Sequence, residues 1–313
     1  MQWLCNAKDD VFTSGETLLA AVFLRAAEYG HLNVLQWLHT HWRGNCGVRL
    51  IDFAASGGHF DVIKWLHENR TEGCSERAMD RAAANGHFDV VKYLHEHRSE
   101  GCTVDAMDNA ARGGSLEIVK WLNDHRSEGC SMVAMDFAAQ NGHLNVVQWL
   151  HTNRKEGCTS LAMDGAIENG HLDIVKWLHE NRSEGCTSSA VTEAAKHGHL
   201  DIVKWLYDNR RARFASSAMT IAAAYGHLDV VKWLHRKCSE GSSNNAMESA
   251  ITFRHFDVVL FLHLHSNVKF DLPTGRTVKL PIELQQWVLT NYADKVSSWQ
   301  FEVHKIELEI LWH

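Results

Sequence analysis

The chain has 313 residues, of which 45% are hydrophobic and 22% charged, with a formal net charge of −7. This balance gives no sign of the basic footprint of a nucleic-acid binder, and no apolar run approaches the roughly 18 residues of a membrane-spanning helix. Only two prolines occur, Pro273 and Pro281, which suits an almost wholly helical chain because proline breaks helix interiors.

Residues 1–16 open with "MQWLCNAKDD", which lacks the basic start and long apolar stretch of a secretion signal. "QWLC" at 2–5 echoes "QWLH" at 36–39, so this segment is expected to be an N-terminal cap or half repeat. From residue 17 to residue 265 the chain repeats itself. Gly30-His31, Gly58-His59, Gly86-His87, Gly142-His143, Gly170-His171, Gly198-His199 and Gly226-His227 are set by a step of 28 residues, and Gly114-Ser115 and Arg254-His255 complete nine copies. A fixed period of this size marks a stacked-repeat protein rather than nine active sites.

Each copy predicts helix, glycine turn, helix and connector. In "AMDFAAQNG" (134–142) the methionine seven residues before the glycine and the alanines four and three before it share one helical face. In "HLDIVKWLHENR" (171–182) Leu172, Val175 and Leu178 are expected inward, with Asp173, Lys176 and Glu180 outward. Connector residues Ser75, Thr103, Ser131, Thr159 and Thr187 are placed to N-cap the following helix. Gly73, Gly101, Gly129, Gly157 and Gly185 suit a left-handed backbone. Helices this short fall below the ~12–15 residues needed for isolated stability, so they must stack. Beyond His265 the pattern stops: "LPIELQQWVLTNYADKV" (280–296) has a helical apolar face and is expected to cap the stack, and "FEVHKIELEILWH" (301–313) fits strand or helix.

Several ladders invite a chemical reading. Cys46, Cys74, Cys102, Cys130, Cys158 and Cys186 recur at the repeat period, and Phe214 and Ser242 fill the slot later. Packed helices sit about 8–10 Å apart, beyond the roughly 4.4–6.8 Å between Cα atoms that a disulfide needs. These cysteines therefore read as small buried hydrophobes with reduced thiols, and the expected setting is intracellular, cytoplasmic rather than nuclear. A second histidine series (His39, His67, His95, His151, His179, His235, His263) supplies one residue per copy, and neither H-E-x-x-H nor C-x-x-C occurs. No metal, cofactor, small-molecule substrate or catalytic set is expected. The aromatic series Trp37, Trp65, Tyr93, Trp121, Trp149, Trp177, Trp205, Trp233 and Phe261 is expected to pack between repeats. "NRRARFASS" (209–217) reads as a solvated basic loop.

"AMDFAAQNGHLNVVQWL" (134–150) resembles the ankyrin-repeat core P-L-H-x-A-A-x-x-G-H-L-x-V-V-x-x-L-L through Ala138, Ala139, Gly142-His143, Leu144, Val146-Val147 and Leu150. The resemblance recurs in every copy over about residues 17–265. It implies an all-α helix-turn-helix solenoid with a C-terminal cap at 266–313, and loop histidines that tie each turn to backbone groups. The copies are five residues shorter than the usual 33, so the family's β-hairpin finger is expected to shrink to a loop. Asp52, Asp80, Asp108, Asp136 and Asp164 stand in the family's histidine slot, where a polar cap or loop hydrogen bond is expected.

Positions that vary between copies are released from holding the stack. On the first helix these lie nine, five and two residues before the glycine, on a stripe opposite the methionine–alanine face. The resemblance implies that this stripe contacts a partner. Its candidates are Arg25, Phe53, Arg81, Arg112 and Phe137 in the N-terminal half, an arginine–aromatic mixture common at interface hot spots, and Glu193, Lys196, Ile221 and Tyr225 in the C-terminal half. The expected function is a non-catalytic scaffold for a protein partner, with no nucleic acid or membrane involved. The alternative is the recognition arm of a larger enzyme or regulatory protein whose catalytic part is not in this chain.

Overall fold

A computed structural model of the chain describes residues 12–42, 44, 46–47, 49–210, 216–237, 242–265, 277–278, 286–287, 290 and 300–301. Among them the fold is an all-α helical repeat solenoid, in which the only strand pairing is a short one near the C-terminus. The chain divides into two compact units, Met1–Gly165 and Ala166–His313.

The first unit holds the pairs α1 (Phe12–Glu28) and α2 (Leu32–His41), α3 (Arg49–Ser56) and α4 (Phe60–Asn69), α5 (Arg77–Ala84) and α6 (Phe88–His97). It continues with α7 (Val104–Arg112) and α8 (Leu116–His125), then α9 (Val133–Gln140) and α10 (Leu144–Asn153). First helices pack side by side in the order α1, α3, α5, α7, α9, and second helices form the other layer, α2 against α4 and α8 against α10.

The division between units falls inside α11 (Ser160–Glu168). The second unit continues with α12 (Leu172–Asn181), α13 (Ala190–Lys196), α14 (Leu200–Arg210), α15 (Ser216–Ala224), α16 (Leu228–Lys237), α17 (Ser242–Thr252) and α18 (Phe256–His265). Here α13, α15 and α17 pack in series, as do α14, α16 and α18.

Side-chain size explains the two layers. First helices bury one large apolar side chain and a pair of small ones, most often methionine and two alanines, such as Met107 with Ala110 and Ala111, or Met135 with Ala138 and Ala139, with Phe23, Ile51 and Val191 in the methionine slot of α1, α3 and α13. The small alanines let neighbouring first helices come close while methionine fills what remains. Second helices from α4 onward bury a β-branched pair and a leucine, such as Val90, Val91 and Leu94 in α6, and Ile174, Val175 and Leu178 in α12, while α2 buries Leu35 and Leu38. Leu172, expected inward, is only half-buried. It is the first residue of α12, so Ile174 and Val175 straddle the inward line in its place.

The turn between helices has one form throughout. In the α3–α4 turn the Gly58 N–H donates to Ala55 O at 3.2 Å and the His59 N–H to Ala54 O at 3.0 Å, with Gly58 at φ +70°. This is a Schellman closure, which satisfies carbonyls left open at a helix end and places a left-handed residue there. Glycine is required twice over at Gly114, where an added Cβ would lie 2.5 Å from the His143 ring of the next copy. At Gly86 the next copy has Ser115 in place of histidine, and the nearest atom recedes to 3.5 Å.

No β-hairpin finger separates the described copies; the connectors are loops, as the short period implies. Gly73, Gly101, Gly129, Gly157 and Gly185 have φ between +69° and +79°, as expected for connector glycines. Helix α1 starts at Phe12, and residues 1–11 of the expected N-terminal cap lie outside the described residues. So do Phe214 of the cysteine slot, residues 211–215 of "NRRARFASS" and the final residues 302–313. Of the expected C-terminal cap, Gln286, Trp287 and Thr290 are helical, and the Trp287 ring meets Phe256 at 5.8 Å and His263 at 5.0 Å, both edge-on. Thr277–Val278 (β1) pairs in parallel with Gln300–Phe301 (β2).

Candidate partner-binding face

Three ladders of polar side chains tie successive copies of the first unit together, and they account for most of the residues that looked like chemistry. The first uses the aspartates. Asp108 accepts from the Ser131 N–H at 2.8 Å and from its hydroxyl at 2.5 Å, and Ser131 Oγ in turn accepts from the Val133 N–H at 3.2 Å. The same relay runs from Asp52 through Ser75, Asp80 through Thr103 and Asp136 through Thr159. The aspartate is thus the expected loop hydrogen bond, and these four connector hydroxyls are helix caps. Thr187, the fifth proposed cap, has its hydroxyl 2.8 Å from Ser189 Oγ. Burial raises the Asp80 and Asp108 carboxyls above their usual range, opposed by hydrogen bonds from Thr103 and Ser131.

Sequence reasoning missed the second ladder. Arg70, Arg98, Arg126 and Arg154 each clasp the glutamate two residues on, Glu72, Glu100, Glu128 and Glu156. The pair reaches back to the preceding connector: Arg70 Nη2 donates to Gly44 O at 2.7 Å, and Glu100 accepts from the Cys74 N–H at 3.2 Å. Burial alone would raise the Glu100 carboxyl, but the Arg98 and Cys74 hydrogen bonds bring it down to about 2. The signal was present as R-x-E-G-C at constant spacing.

The cysteines sit beneath these pairs. Cys74, Cys102 and Cys130 are buried free thiols, and Cys158 is buried in the same slot. Burial pushes Cys74 up to about 12 and Cys102 and Cys130 to about 11, so at neutral pH they pack as protonated hydrophobes.

The third ladder is the loop histidines, which tie turns as the resemblance implied. His59 Nε2 donates to Glu28 O at 2.9 Å and His87 Nε2 to Ser56 O at 3.2 Å in the first unit. In the second unit His199 reaches Glu168 O at 2.9 Å, His227 reaches Lys196 O at 2.7 Å, and His255 reaches Ala224 O at 2.9 Å.

The aromatic series is neither buried nor a free ridge. Trp121 is half-buried, with the His95 ring of the preceding copy edge-on at 5.0 Å and its own His125 stacked at 4.4 Å. The same edge contacts join His39 to Trp65, His179 to Trp205 and Tyr207 to Trp233. The second histidine series thereby packs against aromatic rings between copies.

The stripe on the first helices combines exposed and half-buried side chains. In the first unit Arg25 is exposed and paired with Glu28 at 2.7 Å. Phe53 and Arg81 are half-buried, with the Arg81 Cζ 5.3 Å from the Phe53 ring centroid and Arg49 Cζ 5.1 Å from it. Arg112 is exposed, its Cζ 4.2 Å from the ring centroid of half-buried Phe137. The position nine before the glycine is open in every described copy of this unit, as Arg49, Arg77, Asp105, Val133 and Leu161.

In the second unit the stripe is different. Lys196 Nζ pairs with Glu193 at 3.0 Å, Ile221 is half-buried and Tyr225 is 54% exposed. Glu168, Glu193 and His197 bring possible ligand atoms within 4.8 Å of one another, but the Lys196 ammonium already occupies one Glu193 oxygen. Among the described residues, no helix is long and apolar enough to cross a membrane.

A repeated helix pair, closed by a Schellman turn and locked by a histidine to the copy before it, defines the class as a helical repeat protein. The family described as Ankyrin repeats (many copies) matches residues 23–67, 51–95 and 79–122, and Ankyrin repeats (3 copies) matches 107–190, 137–215 and 191–273. The chain belongs to the ankyrin-repeat family, whose repeats are generally protein–protein interaction modules. A search of curated proteins finds no match.

Proposed function

We propose that the chain is a non-catalytic protein-interaction module that holds a partner protein on the variable stripe of its first helices. In the first unit the contacting residues are Arg25, Phe53, Arg81, Arg112 and Phe137; in the second they are Glu193, Lys196, Ile221 and Tyr225. The observation that carries this reading is a division of labour within each helix. Residues that recur across copies, such as Met107, Ala110 and Ala111, are buried, whereas the variable slots are exposed nine residues before the glycine, as at Arg49 and Arg77, and half-buried five before it, as at Phe53, Arg81 and Phe137. A partner meeting those slots can be selected without disturbing the stack. The buried unbridged thiols fit a reducing, intracellular setting.

The test is affinity capture from a native lysate with wild type and with a variant carrying Arg25→Glu, Phe53→Ser, Arg81→Glu, Arg112→Glu and Phe137→Ser. Thermal melting first establishes that the variant folds. Loss of a specific partner supports the stripe; capture of the same partners moves the interface to the half-buried aromatic face or to the connectors.

A further inference from the structure

We propose that the stripe of the first unit takes an extended acidic segment of a partner protein, with carboxylates at about every third residue, seated on guanidinium groups held against phenylalanine rings. This deepens the reading above and rests on it.

The arginines of the first unit are of two kinds. The connector arginines Arg70, Arg98, Arg126 and Arg154 are each consumed by a glutamate. The first-helix arginines Arg49, Arg77, Arg81 and Arg112 have no carboxylate partner among the described residues. Three of them lean on aromatic rings: Arg49 and Arg81 on Phe53, at 5.1 and 5.3 Å, and Arg112 on Phe137, at 4.2 Å. A ring attracts the cation but accepts none of its N–H groups in a regular hydrogen bond, so each guanidinium keeps its donors for an incoming oxyanion. Packing against the ring also restrains the long side chain before binding, which lowers the entropy lost when a carboxylate arrives.

In a chain of net charge −7 this face is a local reversal of sign. The carboxylates near it are Glu28, already bound by Arg25 at 2.7 Å, and Glu76 and Asp105, exposed at the starts of α5 and α7. Complementarity therefore selects negative charge.

The geometry also sets the form of that charge. Neighbouring packed helices lie about 8–10 Å apart, and a chain in the extended polyproline II conformation advances about 3.1 Å per residue with three residues per turn, so every third side chain points to the same side. Three residues of partner thus match one repeat, and a carboxylate at i, i+3 and i+6 meets α3, α5 and α7 in turn. The cations are distributed along the helices, whereas a phosphate group is typically held by several donors converging on one point. Distributed single cations fit Asp and Glu side chains. At α9 the basic residues give way to exposed Met132 and Val133, which suit an apolar residue at the end of the acidic run.

The experiment uses the full chain and fluorescein-labelled 13-residue peptides: one with glutamate at every third position, one with glutamine replacing each glutamate, one with the same glutamates contiguous, and one with phosphoserine at the spaced positions. Fluorescence anisotropy at low and raised salt reads affinity, and amide hydrogen exchange reads the footprint. The spaced-glutamate peptide is expected to bind at least about tenfold tighter than its glutamine counterpart and more tightly than the contiguous one, to weaken with salt, and to protect α3 to α7. The double variant Arg81→Gln, Arg112→Gln should lose about tenfold, while Lys176→Gln, exposed on second helix α12 and outside the stripe, leaves binding unchanged. Equal affinity for the glutamine peptide, insensitivity to the double variant, tighter binding of the phosphoserine peptide, or no binding of any peptide overturns the proposal. If the glutamine peptide alone binds and protects α3 to α7, the acidic class fails while the stripe stands. If protection falls on the second helices, both fail.

Discussion

The two units repeat one helix pair but hold successive copies together by different means. In the first unit the four connectors between α4 and α11 are each tied by an aspartate relay and an arginine–glutamate clasp. In the second the aspartate slot holds Thr192, Thr220 and Glu248, and Thr192 donates to Ser189 O at 2.6 Å, within the start of its own helix. The clasp occurs once, at Arg182–Glu184; the corresponding pairs further on read Arg210 with Ala212 and Cys238 with Glu240. Both units keep the histidine-to-carbonyl link and the β-branched–leucine core. The lesson is that the core and the histidine define the repeat. The connector ladders are an addition, found in the unit that carries the arginine–phenylalanine stripe.

The sharpest way to break this comparison is to remove one rung from each unit. Asp108→Ala leaves the half-buried Ser131 N–H without its acceptor and is expected to cost about 1.5–3 kcal/mol, the range for lost charged hydrogen bonds. Thr192→Ala removes a local bond only and should cost about 0.5–1 kcal/mol. Denaturant unfolding of the full chain measures both, and equal costs would mean that the ladders are not a stabilising addition. Asp108→Asn should recover part of the loss, because its amide oxygen can still accept from Ser131.

A substitution in a ladder that both units share should instead cost the same in each. Trp121→Ala and Trp233→Ala each remove a ring packed edge-on against the preceding copy, His95 at 5.0 Å and Tyr207 at 5.2 Å. Because both rings are half-buried, the expected loss is about 1–2 kcal/mol, below the 3–5 kcal/mol of a fully buried tryptophan. A cost in one unit only would show that the aromatic contacts are not equivalent.

What the sequence disclosed follows from its period. Nine copies give an internal comparison, so the turn glycine, the alanine pair, the connector caps and the variable stripe were all legible, and so was the loop role of the aspartates. Arg98 and Glu100 were not, because two charged residues in a loop look solvated until stacking places the Cys74 N–H of the preceding copy 3.2 Å from the glutamate. That the aromatic series packs between copies was legible, but the half-burial of Trp121 was not, because a repeated tryptophan implies packing but not its extent. The open arginines were visible as residue types; that Arg81 and Arg49 share one ring depends on the approach of α3 to α5. The division into two units has no sequence mark, since the period runs through it unbroken.

The clasp and the thiols predict how stability follows pH. Glu100 is held at about 2, and Glu72, Glu128, Glu156 and Glu184 are also lowered, against an ordinary value of 4.5. A lowered carboxylate stabilises the fold fully above its unfolded pKa, and that contribution is lost as pH falls from about 4.5 towards 2. Asp80 and Asp108, raised by burial, act in the opposite sense: their contribution is present at low pH and lost as pH rises through their folded values. Five lowered groups against two raised ones make the net effect destabilising in acid. Glu100→Gln should flatten the acid limb of Tm against pH, and an unchanged limb would remove the clasp from the account. On the alkaline side, thiols held at about 11 to 12 against an ordinary 9.0 favour the fold less as pH climbs from about 9 to 12. Cys74→Ala should blunt that decline.

The smallest effect lies where the second unit departs from the turn glycine. Arg254 occupies that slot at φ +68° and still makes the Schellman pair, its N–H donating to Ile251 O at 3.1 Å and the His255 N–H to Ala250 O at 2.9 Å. An L-residue held in the left-handed region costs about 1–2 kcal/mol. Glycine would relieve that cost, while its greater freedom in the unfolded chain and the loss of the arginine side chain's own contacts return part of it. Arg254→Gly is therefore expected to raise stability by about 0.5–1 kcal/mol, seen as a higher Tm. The converse change, Gly226→Arg, should destabilise by more than this gain, since a Cβ there would also strike the His255 ring. A fall in Tm for Arg254→Gly would mean that the side chain's contacts outweigh the backbone strain, and that the missing glycine is a feature of this turn.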